Sequence, residues 1–205
     1  MDIATARDIT VAVAAGITAL AAATTAGVAV FGFNKWRSEL AGKAHFDCAR
    51  TVARHVYASR RAIQVCRSPF VMSGEFPSDF DSYNATNEQK AEAYSHVYEA
   101  RFGKVREAFA ELDIAALEAE ALWGSAIEQK ISTLRKCAIE LQSYLHAYVD
   151  NERHGGSYFE KDAKFRERTH AVVWEADDMN AFSVKLAAAI KDIEAELRGH
   201  LGRAA

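Results

Sequence analysis

The chain has 205 residues, half of them apolar, with 25 basic and 28 acidic side chains. That length carries one or two domains with a real core, and a charged fraction of 26 % excludes wholesale disorder. A net charge of −3 excludes coating of nucleic acid by bulk electrostatics, and 40 alanines against two prolines set aside all-β and doubly wound folds.

The 25 residues from Ile9 to Phe33 carry no charge, with Arg7 and Asp8 before them and Lys35 and Arg37 after. As a helix they reach roughly 37 Å, enough to cross a hydrocarbon core of about 30 Å with some tilt. Nine large apolar side chains supply roughly −3 to −5 kcal/mol toward insertion, against three glycines and four threonines. A cleaved signal peptide needs a basic leader and a shorter apolar core, although Ala21-Ala22-Ala23 resembles a cleavage site. A soluble core helix rarely runs so long without charge. A retained membrane span fits best. Phe31, Phe33 and Trp36 sit where an interfacial aromatic belt lies, with Lys35 and Arg37 as basic anchors. The positive-inside rule then makes residues 1–8 a short extracytoplasmic terminus, 9–33 a transmembrane helix and 34–205 a cytoplasmic part, in a bacterial-type inner membrane. Within the span Ala15, Ala19, Ala23 and Gly27 recur every four residues, a small-residue face that lets helices pack closely in lipid. An alanine-rich helix also produces that pattern by composition alone.

Cys48, Cys66 and Cys137 are odd in number and widely spaced, which predicts reduced, buried thiols and neither a disulfide framework nor a zinc site.

Residues 35–67 show one apolar stripe through Trp36, Leu40, Ala44, Ala49, Val52, Val56, Ile63 and Cys66, ended by Pro69. Nothing from Ile9 to Arg67 forbids a single continuous helix, although Gly32 and Asn34 offer a break. Residues 68–85 read as a loop. Thr86 and Gln89 form a capping-box pattern before a stripe from Ala91 to Leu112, which either runs on to Trp123 or restarts at Asp113. Gly124-Ser125 predicts a stop and an N-cap, then a helix from Ile127 to Tyr148 ending before Gly155-Gly156. Thr169 to Trp174 has strand-like composition, with Tyr158-Phe159 or Phe70-Val71 as its candidate partner in a small ribbon. A last helix is predicted from Met179 to Leu201. The fold expected is all-α, a membrane helix followed by an elongated bundle of about four helices.

Charge is uneven: residues 34–67 hold eight basic and two acidic groups, and residues 68–205 sixteen and twenty-four. The plain reading is a basic helix beside acidic neighbours in one bundle, the sharper one contact of Lys35, Arg37 and Lys43 with anionic headgroups. Nucleic acid is a poor partner, because aromatics for base stacking are scarce among the arginines.

No P-loop, GxGxxG, HExxH, GxSxG or CxxC motif is present. Glu92, His96 and Glu99 share a helix face as metal ligands do, but that face turns away from the Tyr94, Tyr98 and Phe102 stripe and reads as solvated. Tyr57 with Arg60-Arg61 is a weak phosphate signal. Neither a catalytic residue nor a metal or cofactor is assigned, and a non-enzymatic chain is expected.

Three local patterns carry a resemblance: Trp36-Arg37 with Leu40, Gly42 and Lys43; Arg67 with Pro69-Phe70; and Leu122-Trp123-Gly124. They are similar to stretches of uncharacterised bacterial proteins with one N-terminal membrane helix and a helical cytoplasmic part. The resemblance implies that architecture and brings no activity. The function expected is a membrane-anchored scaffold that binds itself or a cytoplasmic protein. The alternative is a membrane-active effector of a stress or phage-defence system, acting through an oligomerised span.

Overall fold

The structure, a computed structural model, describes residues 3–175 and 179–202, with side chains from Gly16 onward. Among the described residues every regular element is helical. Helix α1 runs unbroken over Ile3–Cys66; it forms the first compact unit, Met1–Ala44, and opens the second, His45–Ala205. Gly32 and Asn34 therefore make no break. A 3₁₀ turn at Ser73–Glu75 lies in the loop that follows. Then come α2 (Asn87–Trp123), α3 (Ser125–Arg153), the short α4 (Ser157–Lys161), α5 (Ala163–Val173) and α6 (Ala181–Leu201).

In the second unit the stripes read from sequence meet in one core. Val52, Val56, Ile63 and Cys66 of α1 join Tyr98, Phe102, Val105 and Leu112 of α2, Ile131, Leu134 and Leu141 of α3, and Leu186, Ile190 and Ile193 of α6. Burial of such side chains at about 25 cal/mol per Å² is the main force holding the helices together. Helix α2 is one helix through Asp113, because Leu112, Ala115, Ala116 and Ala119 continue its buried face. The Thr86–Gln89 capping box forms as predicted, with Gln89 N–H donating to Thr86 Oγ1 at 3.2 Å and Thr86 N–H to Gln89 Oε1 at 2.8 Å.

Gly124 alone joins α2 to α3. At φ 85°, ψ −179° it caps both helices, and Ser125 is the first residue of α3 rather than its cap. That region of backbone space is open essentially to glycine alone. Helix α6 likewise starts later than expected: Asn180 is its cap, accepting from Ser183 N–H at 2.9 Å.

The ribbon expected at 169–174 is not there. Thr169 to Val173 form the second half of α5, and Phe159 lies in α4. Two caps reverse the local β preference. Asp162 accepts the Phe165 N–H at 2.9 Å at the start, and Arg67 fills the carbonyls at the end. Thr169, Val172 and Val173 then bury one face against the bundle.

Candidate functional site

From Gly16 to Ala44 every residue of α1 is exposed except the half-buried Gly27. Ala19 and Ala23 are among them, and the side chain of Ala15 lies outside the described residues. Ile17, Leu20, Val28 and Val30 are 60–74 % exposed. At the end of the run Phe31 and Phe33 stand clear, Phe33 tilted against Trp36 at 6.0 Å, while Lys35 faces Glu39 at 3.9 Å and Arg37 is exposed. The hydroxyls of Thr24 and Thr25 both donate to the Ala21 carbonyl at 2.8 Å, so these polar groups are satisfied within the helix. This helix is long and apolar enough to cross a membrane, and none of its most apolar stretch is buried.

In the second unit the outstanding feature is the loop between α1 and α2, which two buried arginines position. Arg67 has no exposed surface. Its Nε donates to Val172 O at 2.7 Å and its Nη2 to Ala171 O at 3.0 Å and Trp174 O at 3.3 Å. Nη1 reaches Ser183 Oγ at 3.2 Å, Glu175 stands at 3.8 Å, and the guanidinium lies 4.7 Å over the Phe182 ring. A cation at the C-terminal end of α5 also meets the negative end of that helix's dipole. Arg101, only 7 % exposed, grips the loop itself. It holds Glu75 with two bonds of 2.6 and 2.8 Å and donates to Ser68 O at 2.8 Å and Phe70 O at 2.6 Å. The paired guanidinium holds the Glu75 carboxyl down at about 2.

Beneath this loop lies a cleft lined with aromatic rings. One lobe, about 350 Å³, has Phe76, Tyr94, Tyr98, Tyr148 and Trp174 in its walls. A second lobe of about 500 Å³ shares Phe76 and Tyr94 and adds Phe80, Lys90 and Glu152. The rings meet mostly edge to face: Phe76 on Tyr94 at 5.5 Å, Tyr94 on Tyr148 at 5.6 Å and Tyr148 on Trp174 at 5.6 Å. Burial pushes the Tyr148 and Tyr94 hydroxyls up and raises the Glu152 carboxyl, which Lys90 only partly offsets.

At the far end of α2, Trp123 Nε1 donates to His45 Nδ1 at 2.7 Å and stacks on the His200 ring at 4.0 Å. The other sequence candidates stand apart from both features. Glu92, His96 and Glu99 are exposed on α2, with Glu99 paired to Arg106. Among the described residues no three His, Cys, Asp or Glu side chains converge as a metal would require. Tyr57 donates to Glu194 at 2.9 Å, an acidic partner rather than a phosphate. Among the described ion pairs of residues 34–67, Lys35 with Glu39 and Arg50 with Asp47 lie within α1, and Arg67, just past its end, faces Glu175. The three cysteines are free and buried, and burial pushes the Cys48 and Cys66 thiols up to about 11 and about 12.

Neither arginine role was read from sequence. In sequence Arg67 with Pro69-Phe70 is only a local pattern, and Arg101, a lone cation between Tyr98 and Phe102, is the available signal for the loop. No family model, curated protein or solved structure matches the chain.

Proposed function

We propose that the chain is a single-pass, membrane-anchored interaction protein without catalytic activity of its own. The observation that carries this reading is the exposed apolar face of α1 beside a second unit that buries its own large apolar stripes. An uncovered run of that size is costly in water and favourable in lipid, and the threonine hydroxyls that satisfy themselves on the helix lower the remaining cost. In this reading residues 9–33 cross an inner membrane, Phe31, Phe33, Lys35, Trp36 and Arg37 sit at its inner interface, and residues 34–205 are cytoplasmic. The Ala15, Ala19, Ala23 and Gly27 face brings two spans together, and the bundle receives a cytoplasmic protein or a second copy.

Carbonate extraction with protease protection of a C-terminal tag in spheroplasts tests the topology: the protein stays in the membrane pellet and the tag survives. A soluble full-length protein, or a tag digested from outside, overturns it. A membrane-potential dye separates scaffold from effector. Rapid depolarisation on overexpression, abolished by deleting residues 9–33, assigns the protein to the effector class instead.

A further inference from the structure

We propose that the cleft beneath the 68–80 loop is a binding site for a small zwitterion with an aromatic body, the chemistry of a free aromatic α-amino acid. Three features of the cleft carry this, and none depends on the membrane reading. First, it is held open. Arg101 fixes the loop through Glu75 and the carbonyls of Ser68 and Phe70, so the backbone is anchored above α2 and α3 rather than collapsed on them. A preformed cavity loses less on binding than one that must be ordered by its ligand.

Second, its walls are rings with edges and faces still uncovered: Phe76, Phe80, Tyr94 and Trp174 are each only half-buried, over a floor of buried Tyr98 and Tyr148. A flat ring inserted here continues an edge-to-face packing that the wall already follows. The two lobes, about 350 and 500 Å³, are of the size that admits one such ring with its polar end.

Third, one lobe carries both signs of charge, unpaired with each other. Lys90 and Glu152 line the same lobe; the ammonium acts on the carboxylate through space, but among the described residues no contact ion pair or side-chain hydrogen bond joins them. By contrast Glu88 takes Arg153, and Glu75 takes Arg101. A half-buried carboxylate and an ammonium left apart across an aromatic cleft match a ligand whose ammonium and carboxylate are adjacent. In the bound state the ligand's ammonium donates to Glu152, its carboxylate accepts from Lys90, and its ring packs against the uncovered edges of the Phe76–Tyr94 pair.

The test is isothermal titration of the full chain in lipid nanodiscs with L-phenylalanine, phenethylamine and 3-phenylpropionate. L-Phenylalanine binds saturably at one site per chain, and each single-charge analogue binds about tenfold more weakly or worse. Glu152→Gln lowers the affinity for L-phenylalanine and phenethylamine by about tenfold and leaves 3-phenylpropionate unchanged, and Lys90→Met gives the mirror pattern. Absence of saturable heat with L-phenylalanine overturns the proposal, as does an analogue that binds as tightly as the zwitterion. If a variant melts early by circular dichroism, the three ligands on the unaltered chain decide the matter alone.

Discussion

Arg67 shows what a single side chain can hold. Its guanidinium satisfies three carbonyls and one hydroxyl from α5 and α6, in a place with no access to water. Truncation strands those acceptors, so Arg67→Ala is expected to cost about 3–5 kcal/mol in urea unfolding, and Arg67→Lys, with one donor point instead of a fork, most of that. The Glu75–Arg101 pair adds a pH dependence whose direction is fixed. Its carboxyl lies at about 2 in the fold against an ordinary 4.5, so its contribution is full above about pH 4.5 and disappears as pH falls toward 2. Glu75→Gln imitates the acid state at neutral pH. Limited proteolysis within residues 68–85 is expected to run about tenfold faster, equivalent to ~1.4 kcal/mol of loop stability. Glu152 works the other way. Burial raises its carboxyl, Lys90 being the cation that opposes the shift, so protonation on folding adds stability as pH falls through the raised value. The thiols give a third expectation. With Cys66 at about 12, only about one in ten thousand is thiolate at pH 8, and native-state alkylation should be slow until urea is added.

At the scale of elements, the readings that held rest on repeated signals. The stripe of α2 predicts a helix at every turn, and Thr86 with Gln89 marks its start with two reciprocal bonds, so neighbouring residues agree. The ribbon at 169–174 failed because the deciding groups are distant. Val172, Val173 and Trp174 favour a strand locally, and besides the Asp162 cap it takes Arg67, far away in sequence, to fill the carbonyls at the other end and make helix the better state. The aromatic cleft is illegible for a similar reason: Phe76, Tyr94, Tyr148 and Trp174 come from four separate segments, Tyr94 and Tyr148 looking like ordinary core on their stripes, Phe76 lying in an expected loop and Trp174 in an expected strand. Capping positions are testable directly. Asp162→Ala should lower stability by about 1 kcal/mol, through α5 alone. Gly124→Ala forces a side chain into φ 85°, ψ −179°, with nothing near the new Cβ to clash, so its cost, about 1–3 kcal/mol, is purely backbone strain.

For the whole molecule, the two units differ in what they do with apolar surface. The second is closed around its own core, whereas the first exposes Leu20, Val28 and Phe31 along a helix that no described element covers. Gly27→Ile together with Ala23→Ile is expected to weaken dimers in a membrane association assay without shifting the far-UV melting of the bundle. Unchanged association would leave the small-residue face as mere composition. Deleting residues 9–33 should release the remainder into the soluble fraction with its near-ultraviolet aromatic signal intact, because Tyr94, Tyr98, Tyr148 and Trp174 all belong to the second unit.

The bond from Arg67 to Ser183 also sets a schedule. The two residues are 116 positions apart. At a ribosomal speed of about 5–20 residues per second, Arg67 is made roughly 6–23 seconds before the hydroxyl it will hold. In that interval α2 and α3 can close on each other as a local hairpin, but the end of α1 still has no carbonyls to fill. The newborn chain therefore holds this guanidinium without its α5 and α6 acceptors until those helices emerge. A stalled or truncated product lacking α5 and α6 should consequently be a substrate for chaperones and proteases, even though α1 to α4 are complete.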